Sequence, residues 1–153
     1  MFGLLLEHKY VLYGGAAGSA KSVWLLMCAS QHVDQEDCRA LILRRTYPEL
    51  KQLIDESRKM FGDYAKYNQQ DHQWTFPSKA TITFGHLQHD KNVHQYQSQA
   101  YQIICFDEAT SFTEEQYEYI LTRHRKTSGS EVPLKIRLAS NPCLLYTSPS
   151  PRD

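Results

Sequence analysis

Four short apolar runs, separated by segments of helical character, constrain the fold more than any other feature of the sequence. The runs cover residues 10–13, 39–43, 101–106 and 135–139. Helix-forming segments begin near Lys21, Thr46 and Thr113, after the first three runs. Strands that alternate with helices form a mainly parallel sheet with helices on both faces. The sequence therefore predicts an α/β fold with a mainly parallel central sheet flanked by helices.

The segment from residue 64 to residue 85 departs from this pattern, because short aromatic and β-branched stretches alternate there with polar residues. Trp74 and Phe76 precede a turn at residues 77–79, and a second alternating stretch follows at residues 81–84. This arrangement predicts an antiparallel β-hairpin inserted into the α/β pattern. The two aromatic rings could stack on nucleic-acid bases, although such alternation is more typical of the packed face of a hairpin.

Composition excludes several classes of protein. The chain has 153 residues, of which 41% are apolar, and its 17 basic residues balance its 17 acidic ones. One ordinary globular domain has this composition, and a contact with nucleic acid would have to be a local basic patch. No apolar run approaches the roughly 20 residues that a membrane-spanning helix needs. We therefore expect no membrane partner.

The cysteine and histidine residues give only a weak signal for a metal site. No C-x-x-C pair is present, and three histidines that lie close together lack a fourth zinc ligand. We expect the cysteines to be buried free thiols in a reducing cytoplasm and these histidines to be solvated loop residues. The cysteines are Cys28, Cys38, Cys105 and Cys143, and the histidines are His86, His89 and His94.

A stretch of small residues between the first run and the first helical segment has the context of a phosphate-binding loop. Small side chains let consecutive backbone N–H groups converge on phosphate oxygens, and the following helix adds its positive N-terminal end. We expect Lys21 to reach the β- and γ-phosphates and the Ser22 hydroxyl to bind Mg²⁺. The alternative is a Gly/Ala turn with a surface lysine, and Ala20, which stands where the usual pattern has glycine, requires right-handed backbone. The loop consists of Gly15, Ala16, Ala17, Gly18, Ser19, Ala20, Lys21 and Ser22.

Two adjacent acids follow the third apolar run. Ligands bind outside the carboxyl ends of parallel strands, so Asp107 and Glu108 should lie at the same edge as the small-residue loop. We expect Asp107 to hold the Mg²⁺ shell through water and Glu108 to orient and deprotonate the attacking water. The alternative is an acidic helix start. That alternative suits Glu114 and Glu115 better, because Asp107 and Glu108 precede the capping residue Thr113.

Polar residues also end the fourth and second runs. We expect Ser140 and Asn141 at the same edge, between the two preceding motifs, where they could hydrogen-bond a γ-phosphate or the attacking water. The alternative is an ordinary Ser-Asn-Pro turn. Arg44 and Arg45 could face phosphate or form a solvated strand end, and the sequence leaves both interpretations open.

Several further stretches join these motifs in one combined pattern. They are YGG at 13–15, LRRTYP at 43–48, W-x-FP at 74–77, ATITFGHL at 80–87, YQ at 96–97, FDEATSFT at 106–113, QY at 116–117 and LASNP at 138–142. With these residues the sequence resembles the ATPase domain of the large terminases of tailed bacteriophages, the motors that package DNA. The resemblance extends from about residue 10 to residue 142.

The resemblance implies a P-loop NTPase fold, RecA-like and of the additional-strand catalytic-glutamate type, with ATP and Mg²⁺ as cofactors. It also implies that Lys21 and Glu108 are catalytic. The Walker A motif would include Lys21 and Ser22, the Walker B pair would be Asp107 and Glu108, and the coupling motif would be Ser140 and Asn141.

The resemblance further implies that ATP hydrolysis drives viral double-stranded DNA into a procapsid, at its portal in the host cytoplasm. The implied partners are double-stranded DNA, the portal protein, the small terminase subunit and further copies of the chain in a ring. Competing interpretations are a helicase-like DExx ATPase and a folded nucleotide-binding fragment without activity.

The sequence differs from the terminase pattern at several points. Ala17 occupies a position where many relatives have arginine, and Lys79 and Ser98 stand where relatives often have glycine. We expect residues 1–143 to form the ATPase domain, truncated at both ends and without the family's upstream adenine-contacting segment and C-terminal nuclease domain. Residues 144–153 are expected to be a disordered, non-native tail.

Overall fold

The computed structural model describes residues 8–14, 19–87, 95–96 and 98–140. Within these ranges, seven β-strands form one sheet and three α-helices pack against it. The strands are β1 (Tyr10–Gly14), β2 (Arg39–Arg44), β3 (Lys66–Asn68), β4 (Gln73–Thr75), β5 (Thr81–His86), β6 (Ile103–Asp107) and β7 (Lys135–Ser140). The helices are α1 (Ser19–Ala29), α2 (Tyr47–Phe61) and α3 (Glu114–Leu121), and a 3-10 turn covers Ala109–Ser111.

The sheet is mainly parallel, which confirms the prediction from the alternation of strands and helices. Its strand order is β1-β7-β6-β2-β5-β4-β3, and each pairing from β1 to β5 is parallel. β7 lies between β1 and β6, the position expected for the strand that ends at Ser140. Gly14 is opposite Ser140, and Asp107 is opposite Ala139. The chain therefore leaves β1, β6 and β7 at the same edge of the sheet.

The predicted hairpin is confirmed, and it is continuous with the central sheet. β4 and β5 pair antiparallel, and β3 adds a further antiparallel strand at the end of the sheet. β5 also pairs in parallel with β2, from Thr81 opposite Arg39 to His86 opposite Arg44. This pairing makes β5 a member of the parallel sheet as well as one arm of the hairpin.

The aromatic residues of the hairpin are packing residues. Trp74 and Phe76 are buried against the ring of Phe61, with centroid distances of 5.8 and 5.3 Å. The indole N–H of Trp74 donates a hydrogen bond to Ser57 Oγ at 2.8 Å. In the turn between β4 and β5, Lys79 has a φ of 83°. This left-handed backbone is one that glycine adopts without strain and a lysine does not.

Helices cover both faces of the sheet. α1 and α2 pack on one face, and α3 packs on the other. In β2, Ala40 and Ile42 belong to the first of these apolar layers, whereas Leu41 and Leu43 belong to the second. Burial on both faces is the reason that inner strands such as β2 and β6 read as continuous apolar runs in the sequence.

The first residues of α2 and α3 differ in how they are capped by side chains. At α3, Thr113 Oγ1 accepts a hydrogen bond from the Gln116 N–H at 3.1 Å, and the Gln116 side chain accepts one from the Thr113 N–H at 3.0 Å. This is the capping box that the sequence predicts. At α2, Thr46 makes no such cap bond. Its hydroxyl donates instead to Glu49 Oε1 at 3.0 Å, with Pro48 in the first turn.

The remaining expectations from composition concern membranes, thiols and the tail. In the described ranges, no helix has both the length and the apolar character that crossing a membrane requires. Cys28, Cys38 and Cys105 are buried and free, as expected. Cys143 and the predicted tail at 144–153 lie outside the described residues, so the domain boundary at residue 143 stays a prediction.

Gly85 allows the ring of Tyr96 to lie directly against β5. A Cβ at Gly85 would stand 1.9 Å from the Tyr96 hydroxyl oxygen and 3.2 Å from Leu43 Cδ2. Because Tyr96 is buried, we expect Gly85→Ala to lower the free energy of unfolding by about 1–3 kcal/mol. Tyr96→Phe removes the hydroxyl, so the double variant should lose less than the sum of the single variants. Urea unfolding of the four chains measures this coupling, and strictly additive losses would contradict the contact.

Candidate functional site

Three segments of the chain carry the predicted site residues to one edge of the sheet. Lys21 lies in the first turn of α1, which follows β1. Asp107 is the last residue of β6, and Glu108 comes directly after it. Ser140 is the last residue of β7, which separates β1 from β6 in the sheet. Because these strands are parallel, their carboxyl ends bring the four residues to the same edge.

Lys21 and Glu108 form an ion pair across this edge. Lys21 Nζ lies 3.1 Å from Glu108 Oε2, and the two side chains are 2% and 29% exposed. The structure thus brings together the lysine and the acid that the sequence places far apart. An ammonium group that is largely shielded from water acts more strongly on a neighbouring anion than an exposed one does. The surface-lysine alternative for the small-residue loop is therefore wrong.

The backbone of Glu108 has an unusual conformation, with a φ of 55° and a ψ of 56°. This left-handed region is uncommon for a residue other than glycine. The Glu108 carbonyl oxygen accepts two hydrogen bonds from Ser111, at 2.9 Å from the backbone N–H and at 2.7 Å from the hydroxyl. α3 begins only at Glu114, so Glu108 lies on a tight loop and not in an acidic first turn.

Asp107 is fully buried and paired with Arg44. Its Oδ2 lies 2.6 Å from both Nε and NH2 of Arg44. Burial raises the pKa of the Asp107 carboxyl above its ordinary value, and the charges of Arg44 and Lys21 oppose that rise. Arg44 therefore neither faces solvent nor is free to face phosphate. The position of Arg44 follows from the sheet order, because β2 and β6 are neighbours.

Four buried polar atoms at this edge lack a hydrogen-bond partner among the described residues. They are Lys21 Nζ, Asp107 Oδ1, Glu108 Oε1 and Ser140 Oγ. The 3.1 Å contact of Lys21 with Glu108 is an ion pair without hydrogen-bond geometry. Unpaired buried polar groups are costly and call for an explanation. A cationic donor, two carboxylate acceptors and a hydroxyl group fit a phosphate group with its hydrated magnesium ion.

The rest of the small-residue loop is described only in part. α1 begins at Ser19, so Ala20 lies in right-handed helical backbone, where its methyl group causes no strain. Ser22 is half-buried one residue after Lys21 in the same helix. The predicted site residues Gly15, Ala16, Ala17, Gly18 and Asn141 lie outside the described residues.

Histidines contribute no metal centre in the part of the chain that the structure describes. No group of three or more His, Cys, Asp or Glu side chains there could hold a metal ion, although magnesium, which keeps several waters, needs fewer protein ligands. His86 was expected in a solvated loop, but it is the half-buried last residue of β5, because β5 extends to pair with Arg44. His89 and His94 lie outside the described residues.

A second concave region lies away from the candidate site. It is a groove of about 850 Å³ that includes His72, Thr83 and Tyr96 in its lining. Lys21 and the two acids Asp107 and Glu108 do not line it. The groove is therefore distinct from the edge at which the unpartnered polar atoms lie.

The structure brings Lys21, Asp107, Glu108 and Ser140 to one edge, as the sequence predicts. Sequence reasoning missed the contacts of the two arginines. Arg44 binds Asp107, and the NH1 group of Arg45 donates a hydrogen bond to the Ser111 carbonyl oxygen. A pair of arginines at the end of one strand and a pair of acids at the end of another is a signal for such contacts. This signal predicts the contacts only when the two strands, β2 and β6, are known to be neighbours.

Comparison with known proteins places this arrangement in a family. The family described as "Terminase large subunit, T4likevirus-type, N-terminal" has a model that matches residues 12–144. None of the curated protein sequences compared with the chain matches it.

Solved structures of phage packaging proteins share the fold at low sequence identity. The large terminase of a thermophilic bacteriophage is 14% identical, with a TM-score of 0.72 over 90% of this chain and 35% of that one. The same thermophilic-phage terminase in complex with ATP-γ-S is 15% identical, with a TM-score of 0.64 over 89% and 33%. The N-terminal domain of the DNA packaging ATPase from bacteriophage phi29 is 14% identical, with a TM-score of 0.54 over 94% and 81%.

These structural matches establish the fold, which is the P-loop, RecA-like fold that the sequence resemblance implies. The chain spans about a third of the length of the thermophilic-phage terminase that it matches. The family model, in contrast, extends over most of the chain. The chain accordingly belongs to the terminase large subunits of T4likevirus type and corresponds to their N-terminal region.

Proposed function

We propose that the chain is the ATP-hydrolysing motor domain of a phage terminase large subunit, which drives the translocation and packaging of viral double-stranded DNA into the procapsid. The observation that carries the proposal is the convergence of Lys21, Asp107, Glu108 and Ser140 at one sheet edge, with buried polar atoms that lack partners among the described residues. Membership of the terminase family supports the same function. The ATP-γ-S bound to the thermophilic-phage terminase supports a nucleotide as the ligand.

Lys21 would bind the phosphates of ATP. Its ammonium group would exchange Glu108, 3.1 Å away, for oxygens of the β- and γ-phosphates. Residues 15–22 would add backbone N–H groups, and the N-terminal end of α1 would add its positive dipole. The exchange would leave Glu108 free of its cation only when a nucleotide phosphate is bound. The Lys21 side chain would thus link nucleotide binding to hydrolysis.

Asp107 and Ser22 would hold the magnesium ion. Asp107 keeps Oδ1 available because Arg44 occupies only Oδ2, and Oδ1 would accept a hydrogen bond from a magnesium-bound water. The Ser22 hydroxyl would bind the ion directly. When bound, magnesium neutralises charge that develops on the phosphoryl oxygens.

Glu108 would act on the attacking water. Its carboxylate, released from Lys21, would orient that water and accept a proton from it. The water oxygen would then bond to the γ-phosphorus as the bond from that phosphorus to the β,γ-bridging oxygen breaks and ADP leaves. Ser140 Oγ and Asn141 would donate hydrogen bonds to the γ-phosphate or to the same water. Because Ser140 ends β7, a change at the phosphate would be transmitted to the strand that lies between β1 and β6.

The wider assembly follows from the family. The proposed partners are double-stranded DNA, the portal protein, the small terminase subunit and further copies of the chain in a ring, at the procapsid in the host cytoplasm. The equal numbers of basic and acidic residues favour a local DNA-binding patch over a uniformly basic surface. A packaging motor is favoured over a helicase-like ATPase by the family match.

Replacing Lys21 with methionine should abolish most of the affinity for nucleotide. We expect the Kd of a fluorescent ATP analogue in the presence of Mg²⁺ to rise about 10- to 100-fold, because hydrogen bonds to charged groups are worth about 1.5–3 kcal/mol. Lys59→Met is the matched control, since Lys59 is 77% exposed on α2 and makes only a surface ion pair. An unchanged Kd for Lys21→Met would exclude Lys21 from the phosphate site.

Replacing Glu108 with glutamine should separate binding from hydrolysis. We expect ATP turnover to fall about 10²- to 10⁴-fold, because general-base catalysis contributes this much, while the Kd for the ATP analogue is retained. Glu115→Gln, which alters an exposed acid in the first turn of α3, should leave turnover unchanged. Equal hydrolysis by Glu108→Gln and the unaltered chain would refute the role of Glu108.

A further inference from the structure

Two consecutive arginines at the end of β2 contact both ends of the loop that carries Glu108. Arg44 donates a hydrogen bond from Nε to Asp107 Oδ2 at 2.6 Å, and its NH2 group lies 2.6 Å from the same oxygen in an ion pair. Arg45 donates from NH1 to the carbonyl oxygen of Ser111. Asp107 is the residue before Glu108, and Ser111 ends the 3-10 turn that follows it. The loop of residues 107–111 is therefore held at its first and last residues by one neighbouring strand.

The conformation of this loop requires such support. Glu108 has left-handed backbone, with a φ of 55°, and such a conformation in a non-glycine residue persists only where the surroundings over-determine it. The two hydrogen bonds from Ser111 to the Glu108 carbonyl oxygen close the loop on itself. At its first residue the loop is continuous with β6, where Asp107 is opposite Ala139. The arginine contacts add a connection to the end of β2.

Arg44 is in turn held by the helix that follows it. Its NH1 group lies 3.5 Å from the carbonyl oxygen of Glu49, in the first turn of α2. Glu49 also accepts a hydrogen bond from the Thr46 hydroxyl at 3.0 Å. The short segment from Arg44 to Glu49 therefore connects the start of α2 to the acids at the end of β6.

We propose that Arg44 and Arg45 are positioning residues of the ATPase site, forming a clamp on residues 107–111. The clamp sets the orientation of both acids. Both contacts of Arg44 are with Asp107 Oδ2, which leaves Oδ1 for the hydrated magnesium ion. Arg45 fixes Ser111, and through Ser111 the left-handed backbone of Glu108, which directs the general base. The proposal rests on the proposed ATPase function, and neither arginine touches the reacting atoms.

The clamp predicts an effect on the loop that needs no nucleotide. In Arg45→Gln, amide hydrogen exchange measured by NMR should accelerate about tenfold at Ser111, because a hydrogen bond from a charged donor is lost. Exchange at Tyr117, whose N–H bonds to the Thr113 carbonyl oxygen within α3, should not change. Arg39→Gln is the matched control, because Arg39 donates to local carbonyl oxygens at the opposite end of β2.

The clamp also predicts a split between binding and turnover. Arg45→Gln should bind the ATP analogue with Mg²⁺ within about twofold of the unaltered Kd, but should lose about tenfold in turnover, consistent with a misplaced general base. Arg45→Lys, which restores a charged donor, should recover part of the loss.

Arg44→Gln would leave Asp107 buried without its cation, so Arg44→Lys is the variant used at this position. It keeps the charge but loses the paired N–H geometry, and it should fold and show the same loss of turnover.

The outcomes distinguish this inference from the function on which it rests. Unchanged exchange at Ser111 in Arg45→Gln, or faster exchange with unchanged turnover, would overturn the positioning role. Failure of the unaltered chain to bind the ATP analogue, together with faster exchange in Arg45→Gln, would overturn the ATPase function and leave only a structural contact. Slower turnover with retained affinity and faster exchange supports both.

Discussion

Two adjacent carboxylates at the end of β6 are each paired with a cation from a different neighbour, and the site depends on this arrangement. Asp107 meets Arg44 from β2, and Glu108 meets Lys21 from α1. Burying an acid is costly unless a cation compensates it. Arg44 compensates Asp107 through a hydrogen bond from Nε and a close contact of NH2, whereas Lys21 contacts Glu108 without hydrogen-bond geometry. The first pair is therefore suited to a fixed structural role, and the second to exchange with a ligand.

The sheet order makes this double pairing possible. β6 lies between β7 and β2. On one side, Glu108 meets Lys21 of α1, the helix that follows β1. On the other side, Asp107 meets Arg44 at the end of β2. Parallel pairing brings all of these strand ends to one edge. A different neighbour for β6 would leave Asp107 buried without Arg44. The order of strands is thus a condition for the proposed chemistry as well as for the core.

The sequence allowed much of this structure to be predicted, because the strongest signals are local. Runs such as residues 39–43 are buried on both faces and identify their strands clearly, and the Thr113–Gln116 capping box is a contact within four residues. The meeting of Lys21 with Glu108 followed from the rule that parallel strands end at one edge. The pairing of Arg44 with Asp107 and the junction of β5 with β2 did not follow. Both depend on which strands become neighbours, and no local pattern specifies that choice.

The low identity to solved terminases shows which features the fold preserves. At 14% identity to the thermophilic-phage terminase the structures still align with a TM-score of 0.72, so the strand order and the sheet edge are retained while most side chains differ. Lys79 has a left-handed φ of 83°, a conformation that costs a residue other than glycine some strain. The acids and Lys21 make contacts in this chain that depend on their charges.

A crystal structure of the chain with Mg²⁺ and ATP-γ-S would test the central claim most directly. We predict that the γ-thiophosphate lies within hydrogen-bonding distance of Lys21 Nζ, that the 3.1 Å contact of Lys21 with Glu108 is broken, and that a magnesium-bound water contacts Asp107 Oδ1. Nucleotide bound elsewhere, for example in the groove beside His72 and Tyr96, with Lys21 still paired to Glu108, would contradict it.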